Sequence, residues 1–209
     1  MRFVLIPGAG CTSWHWHPVT DGLRARGHEV IAVDLPCQDP SAGLAAYVDT
    51  VVNAVPDGEE VVVVAHSLGG FTGTLVCDRL PVKEFVLVTA MVPAPGERIS
   101  EWWPNTGHVV EPSDADLFFH DLPAEYAAEA RQQLRTQTAG PMNDPCTFER
   151  WPEVPTRAVI TRDDRVFPVD FLRRVTTERL GFAPDELPGS HFPMLGQADA
   201  MLEYLLPNR

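Results

Sequence analysis

Residues 61–70 read VVVVAHSLGG. Four consecutive valines mark a strand buried on both faces, since β-branched side chains pack well on a pleated surface and leave no polar face for solvent. The run continues into Ala65-His66-Ser67-Leu68-Gly69-Gly70, and helix-compatible sequence follows. A buried strand that passes straight into a helix through small-x-Ser-x-Gly is a nucleophile elbow. Ser67 is then expected in strained backbone geometry with its Oγ standing clear of the sheet. The helix starting at Leu68 would aim free N–H groups and the positive end of its dipole at the reaction centre. The flanking positions must be small because strand and helix backbones pass close to them. Ala65 stands where the pattern has its first Gly, an extra methyl that a slightly relaxed turn accepts.

Other short apolar runs occur at residues 3–6 (FVLI), 30–33 (VIAV), 85–88 (FVLV) and 158–160 (AVI). Amphipathic stretches lie between them, at 19–26 closed by Gly27, at 44–54, and at 68–80 closed by Pro81. After Arg162 a helix is expected at 169–180, a short strand at 186–187 and a last helix at 194–206. Strand and helix in repetition give an α/β fold, an open and mostly parallel sheet of about six strands flanked by helices. Residues 92–155 interrupt this rhythm. They open on Pro93-Ala94-Pro95-Gly96, carry Trp102-Trp103-Pro104, and hold one persuasive helix at 124–137. A long irregular stretch between two strands is rarely idle. It reads as a small cap or lid over the C-terminal strand ends, inserted into a core formed by 1–91 and 156–209 within a single domain.

The chain of 209 residues suits one packed core, and 44% hydrophobic with 22% charged residues is ordinary for a globular protein. Acidic residues outnumber basic ones 29 to 16, for a net charge of −13, so neither nucleic acid nor an anionic membrane surface is an expected partner. From 99 to 130 there is no Lys or Arg, while Glu101, Glu111, Asp114, Asp116, Asp121, Glu125 and Glu129 fall there. A solvated face is the simpler reading, and a mouth that repels anionic substrates is the functional one. Cys11, Cys37, Cys77 and Cys146 show no metal-ligand spacing and read as free thiols. No apolar run approaches the roughly 20 residues of a membrane span, and the N-terminus reads as a strand rather than a signal peptide. A cytoplasmic location is expected.

A serine hydroxyl needs a base to take its proton, and the base needs an acid to hold its tautomer. In this arrangement of elements the partners follow in the order Ser, acid, His. The residues 161–168, TRDDRVFP, follow the strand at 158–160, and Gly189-Ser190-His191 precedes the last helix. His191 is the only histidine placed after a late strand. His15, His17 and His28 lie upstream, His66 adjoins Ser67 with its side chain expected on the opposite side, and His108 and His120 belong to the irregular stretch. Asp164 stands four residues before Pro168 and is favoured over Asp163, which stays open. The oxyanion hole needs two backbone donors, expected from Leu68 and from Ala9 in the loop Pro7-Gly8-Ala9-Gly10-Cys11. Apolar acyl and alcohol pockets would draw on Trp14, Met91, Trp102, Trp103, Phe118, Phe119, Val166 and Phe192.

Taken together, PGAGCTSWHW at 7–16, AHSLGG at 65–70, Asp164 and His191 resemble the α/β-hydrolase superfamily, in the branch of plant methylesterases and hydroxynitrile lyases with their bacterial relatives. The likeness runs over nearly the full length, except in 92–155. In that branch the opening loop has His where this chain has Pro7. The resemblance implies hydrolysis of small carboxylic esters through an acyl-enzyme, with no metal or cofactor. It also implies that the first strand stands where the third usually does, without an N-terminal hairpin, and a strand order of 2-1-3-4-5-6. Hydroxynitrile lyases of the branch have Lys directly after the catalytic His and Thr in the oxyanion loop. Here those positions hold Phe192 and Gly8, which favours the esterase. The expected partner is a small-molecule ester, with a homodimer left open. A ligand-binding receptor, or a non-hydrolytic cyclase, thioesterase or lyase, is the alternative on the same fold.

Overall fold

Alternate residues along each apolar run must find cover on opposite faces of the sheet, and the chain supplies helices for both. The computed structural model describes residues 1–109 and 116–206. Its sheet contains β1 (Arg2–Ile6), β2 (Glu29–Ala32), β3 (Val61–His66), β4 (Val82–Val88), β5 (Thr156–Thr161) and β6 (Asp185–Leu187). All pairings are parallel and the order is β2-β1-β3-β4-β5-β6, as the resemblance implied. Phe3, Leu5, Val62, Val64, Val86 and Val88 face a core with α1 (His17–Ala25) and α8 (Ala198–Leu205). Val4, Ile6, Val63, Ala65, Phe85 and Leu87 face the other core, under α2 (Leu44–Ala54) and α3 (Gly69–Val76). At roughly 1.5–3 kcal/mol for each large side chain buried, these two layers dominate the stability.

The expected helix at 194–206 is two pieces, α7 (Pro193–Gly196) and α8, because Gln197 leaves the helical region at φ −133°. α6 (Val169–Leu180) ends at Gly181 in the left-handed region. Between β4 and β5 the chain forms α4 (Ile99–Thr106), α5 (Ala124–Gln132) and a short 3₁₀ turn, Gly140–Asn143. α4 was not expected, because Pro104 reads as a helix breaker. It sits in the last turn, next to the left-handed Gly107 that closes the helix. The expected helix at 124–137 stops at Gln132. Beyond it Arg135 donates its N–H to Gly10 O (2.7 Å) and Gln137 accepts the Gly10 N–H (3.2 Å), tying this stretch to the loop after β1. The Asp144 carboxylate likewise takes the Leu44 N–H at the start of α2, at 2.8 Å.

A third apolar cluster joins Ile99 and Trp102 of α4 to Leu68, Phe71, Ile160 and Leu172. Beside it the buried Glu97 carboxylate pairs with Arg179 of α6 and accepts from Asn105 (2.8 Å) and Ala94 N–H (3.0 Å). Of the acidic residues read between 99 and 130, Asp116 pairs with Arg131, Glu101 with Arg98, and Asp121 accepts the Ser190 N–H. Glu111 and Asp114 lie outside the described residues. The four cysteines are free and buried. Among the described residues no helix is long and apolar enough to cross a membrane.

Candidate active site

The turn between β3 and α3 is as tight as its sequence suggests. Ser67 adopts φ 52°, a left-handed conformation that costs a non-glycine residue free energy and recurs at functional turns. It is held there by three backbone bonds: its N–H to Val88 O (3.2 Å), and its carbonyl from Gly70 N–H (3.0 Å) and Met91 N–H (2.9 Å). The Ala65 methyl is accommodated from the helix side, because Gly73 lies over it. A Cβ at position 73 would fall 2.9 Å from Ala65 Cβ. Gly8 plays the corresponding part in the β1 loop, where an added Cβ would lie 2.9 Å from Ser67 Cβ.

The loops after β5 and β6 bring Asp164 and His191 to the same point. His191 Nε2 is 3.0 Å from Ser67 Oγ, and His191 Nδ1 is 2.7 Å from Asp164 Oδ2. The second carboxylate oxygen of Asp164 accepts the N–H groups of Val166 (2.7 Å) and Phe167 (2.9 Å), which fixes its plane. The two side chains are 2% and 0% exposed, so their bond is shielded from competing water. Asp163 turns elsewhere and accepts the Gly189 N–H at 3.1 Å. The alternative left open between the two aspartates is thereby a difference in position: one meets the imidazole, the other the backbone of the histidine loop.

Above Ser67 lies a cavity of about 220 Å³. Met91, Trp103, Phe118, Val166 and Phe192 line it, as do Ala9 and Leu68. Three residues expected there lie elsewhere. Trp14 packs on His17 and Tyr126, with ring centroids 4.6 and 6.0 Å apart. Trp102 is fully buried, its indole N–H donating to Val92 O at 3.0 Å. Adjacent helical side chains diverge by about 100°, so only one of the pair Trp102-Trp103 can face the cavity. Phe119 is buried against Phe192, at 4.7 Å.

The cavity also takes Gly8, Cys11, Ile99, Met142 and Phe167, which the sequence did not single out as pocket residues. Phe167 was reachable from its place beside Val166, whereas Met142 stands in irregular chain without periodicity. Burial pushes the Cys11 thiol up to about 12, with Cys37 adding to it, so it stays protonated beside the serine. His66 corrects an expectation. Its ring lines the cavity and lies 4.8 Å from that of His191, instead of pointing away from Ser67. Opposite faces for successive residues hold only along extended backbone, and the left-handed turn at Ser67 breaks that alternation. Among the described residues the N–H groups of Ala9 and Leu68 find no protein acceptor.

The chain is similar to several known proteins in sequence and in fold. Over 111 residues the chain is 34% identical to methyl jasmonate esterase 1 of Vitis vinifera, covering 47% of this chain and 42% of that one. Over 97 residues it is 34% identical to norfluorocurarine synthase 1 of a Strychnos species, covering 42% and 36%. The matched segments thus span about two fifths of these curated relatives. A pyrethroid hydrolase from Sphingobium faniae JZ-2 superposes with a TM-score of 0.81 at 25% identity, covering 99% of this chain and 96% of that one. A family model described as the alpha/beta hydrolase family matches residues 3–204, nearly the whole of this six-stranded parallel fold, and the chain belongs to that family.

Proposed function

We propose that the protein is a serine hydrolase of small, neutral or weakly polar carboxylic esters. The observation that carries this reading is the line of hydrogen bonds from Ser67 through His191 to Asp164 at the floor of an apolar cavity. Ser67 Oγ attacks the ester carbonyl while His191 Nε2 accepts its proton and then passes it to the departing alkoxide. The acyl-enzyme is released by a water molecule that gives its proton to the same nitrogen. Asp164 keeps the ring proton on Nδ1 and stabilises the imidazolium that forms. The N–H groups of Leu68 and Ala9 serve the carbonyl oxygen as its charge develops, the usual source of the largest single share of stabilisation.

The substrate class follows from the lining. No Asp, Glu, Lys or Arg is among the described lining residues, and the volume of about 220 Å³ suits a small acyl or alcohol group. Residues 92–155 act as a cap, contributing Ile99, Trp103, Phe118 and Met142 to the cavity and excluding water from it. Gly8 and Phe192 stand where hydroxynitrile lyases of the branch carry Thr and Lys, and so argue against cyanohydrin cleavage of that type.

The test is turnover of p-nitrophenyl acetate, p-nitrophenyl butyrate and a set of methyl aryl esters, each against the Ser67→Ala variant. Hydrolysis that Ser67→Ala loses is the expected result. Equal rates in both proteins on every ester would overturn the proposal. A second reading, a non-hydrolytic biosynthetic enzyme, is favoured by the similarity to a protein called a synthase. Product analysis separates the two, because only hydrolysis releases one acid and one alcohol per ester consumed.

A further inference from the structure

The loop that carries His191 has little regular structure of its own. Gly189 sits at φ 107°, where the backbone is permissive, and Ser190 and His191 precede α7 outside any strand. Side chains from the ends of three adjacent strands grip it instead. His66, the last residue of β3, places Nε2 2.9 Å from the His191 carbonyl oxygen. Thr89, directly after β4, donates its hydroxyl to the same oxygen at 3.2 Å. Thr161, the last residue of β5, donates to Ser190 O at 2.8 Å. The three are 2%, 0% and 1% exposed.

Two features mark this grip as more than packing. Thr89 holds φ 41°, which is an outlier for a β-branched residue and costs about 1–3 kcal/mol. Such strain persists only where the surroundings over-determine it. Here the Thr89 N–H is fixed to Val159 O (2.8 Å) and its hydroxyl to His191 O. The second feature is the tautomer of His66. A carbonyl oxygen only accepts, so the His66 proton is on Nε2 and Nδ1 is bare. Burial, with the neighbouring His191 ring, holds this imidazole well below the ordinary histidine range, so it remains a single-proton donor.

We propose that His66 and Thr89 are positioning residues that hold the His191 imidazole over Ser67 by clamping the His191 carbonyl oxygen. Asp164 fixes one edge of the ring, and the clamp fixes the backbone from which the ring swings. Both set the 3.0 Å approach to Ser67 Oγ, since the bonds from Asp163, Asp121 and Thr161 hold Gly189 and Ser190 but not the His191 backbone itself. The inference rests on the esterase reading above and adds to it two residues that touch no substrate through this bond.

The test uses side chains that keep or lose the donor at one place. The Gln amide nitrogen reaches about where imidazole Nε2 lies, whereas that of Asn falls short. His66→Asn should lower kcat for p-nitrophenyl butyrate roughly 10- to 100-fold with KM within about twofold, since a catalytic group displaced by about 1 Å costs up to 10²-fold. His66→Gln should return kcat to within roughly fivefold of the parent, and Thr89→Ser should stay well above Thr89→Val. Thermal midpoints accompany each variant. Equal kcat for the Gln and Asn variants, or losses that merely follow the midpoints, would overturn the clamp. Nitrogen NMR of the unaltered protein is the second measurement. It should find the His66 proton on Nε2, and a proton on Nδ1 alone would refute the proposal whatever the variants do. Should Ser67→Ala hydrolyse as fast as the parent, the esterase reading fails, and the clamp is then judged by this tautomer.

Discussion

In an Asp164→Asn variant one carboxylate oxygen becomes an amide nitrogen while the volume of the side chain is kept. The structure says which oxygen. Oδ1 accepts two backbone N–H groups, from Val166 and Phe167 at 2.7 and 2.9 Å, so the amide oxygen must take that side. The reverse orientation would set the NH₂ against both donors in a buried place, leaving unsatisfied groups at about 1–3 kcal/mol each. The amide nitrogen therefore faces His191 Nδ1 across the 2.7 Å gap. A donor there forces Nδ1 to be the bare nitrogen and moves the ring proton to Nε2, where it meets the Ser67 hydroxyl at 3.0 Å. The base is then occupied by its own proton. Wrong-tautomer variants of such triads lose about 10⁴-fold in kcat, which is roughly 5 kcal/mol at about 1.36 kcal/mol per decade.

Asp163→Asn differs in kind. Among the described residues its Oδ2 accepts only the Gly189 N–H at 3.1 Å, and an amide oxygen accepts the same bond, so the loss should stay within about tenfold. The assay is steady-state hydrolysis of p-nitrophenyl butyrate, with Ser67→Ala as the floor and thermal midpoints measured alongside. Equal losses at the two positions, a reversed order, or an Asp164→Asn enzyme keeping more than a tenth of the parent kcat would refute the reasoning from tautomers.

Three further outcomes are expected. Trp102→Ala should cost about 3–5 kcal/mol in urea unfolding with the ester preference kept, since Trp102 is fully buried, whereas Trp103→Ala should shift preference among acyl groups at small cost; the opposite pattern would move the cavity wall to the other face of α4. Burial holds His15 and His66 below their ordinary value of 6.5, so the unfolded chain takes up protons that the folded one refuses as pH falls through and below that value. Stability should therefore fall on acidification below about pH 6.5, by at most about 1.4 kcal/mol per pH unit for each ring, and His66→Gln should flatten the slope of the urea midpoint against pH. Arg179→Met should destabilise by about 3–5 kcal/mol, because it strands the Glu97 carboxylate, whose side chain is 2% exposed; a further Glu97→Leu should recover part of the loss, and a single variant as stable as the parent would rule out a buried charge there.

What could be read from the residues alone follows from how far each interaction lies along the chain. The strands were legible because burial on both faces leaves an unbroken apolar run, as at 61–64 and 85–88, and their order followed from the resemblance. Ser67, Asp164 and His191 were legible as positions because each follows a strand that the pattern announces. That they meet at 3.0 and 2.7 Å is a property of the fold. His66 was misread for a local reason, a single left-handed residue that cancels strand alternation. The adjacent tryptophans could not be told apart, because Pro104 hid the helix that turns one inward and the other toward the cavity.

The stretch between β4 and β5 was opaque for a different reason. Beside the apolar contacts of α4, its place is set by polar bonds to distant partners, which leave no periodic trace in sequence. Arg135 and Gln137 hold Gly10 in the β1 loop, and Thr138 donates its N–H to Cys37 O beyond β2. Asp144 caps α2, Glu97 pairs with Arg179 of α6, and Asp121 takes the Ser190 N–H beside His191. The loops after β1, β2 and β6 each receive at least one of these bonds. The segment is thus fastened to the same loops that carry Ala9 and His191, and a change in its seat displaces them together. Substitutions at Asp121 or Gln137 should therefore act on kcat through the loops they hold, and those at Trp103 or Met142 on substrate choice through the wall they form.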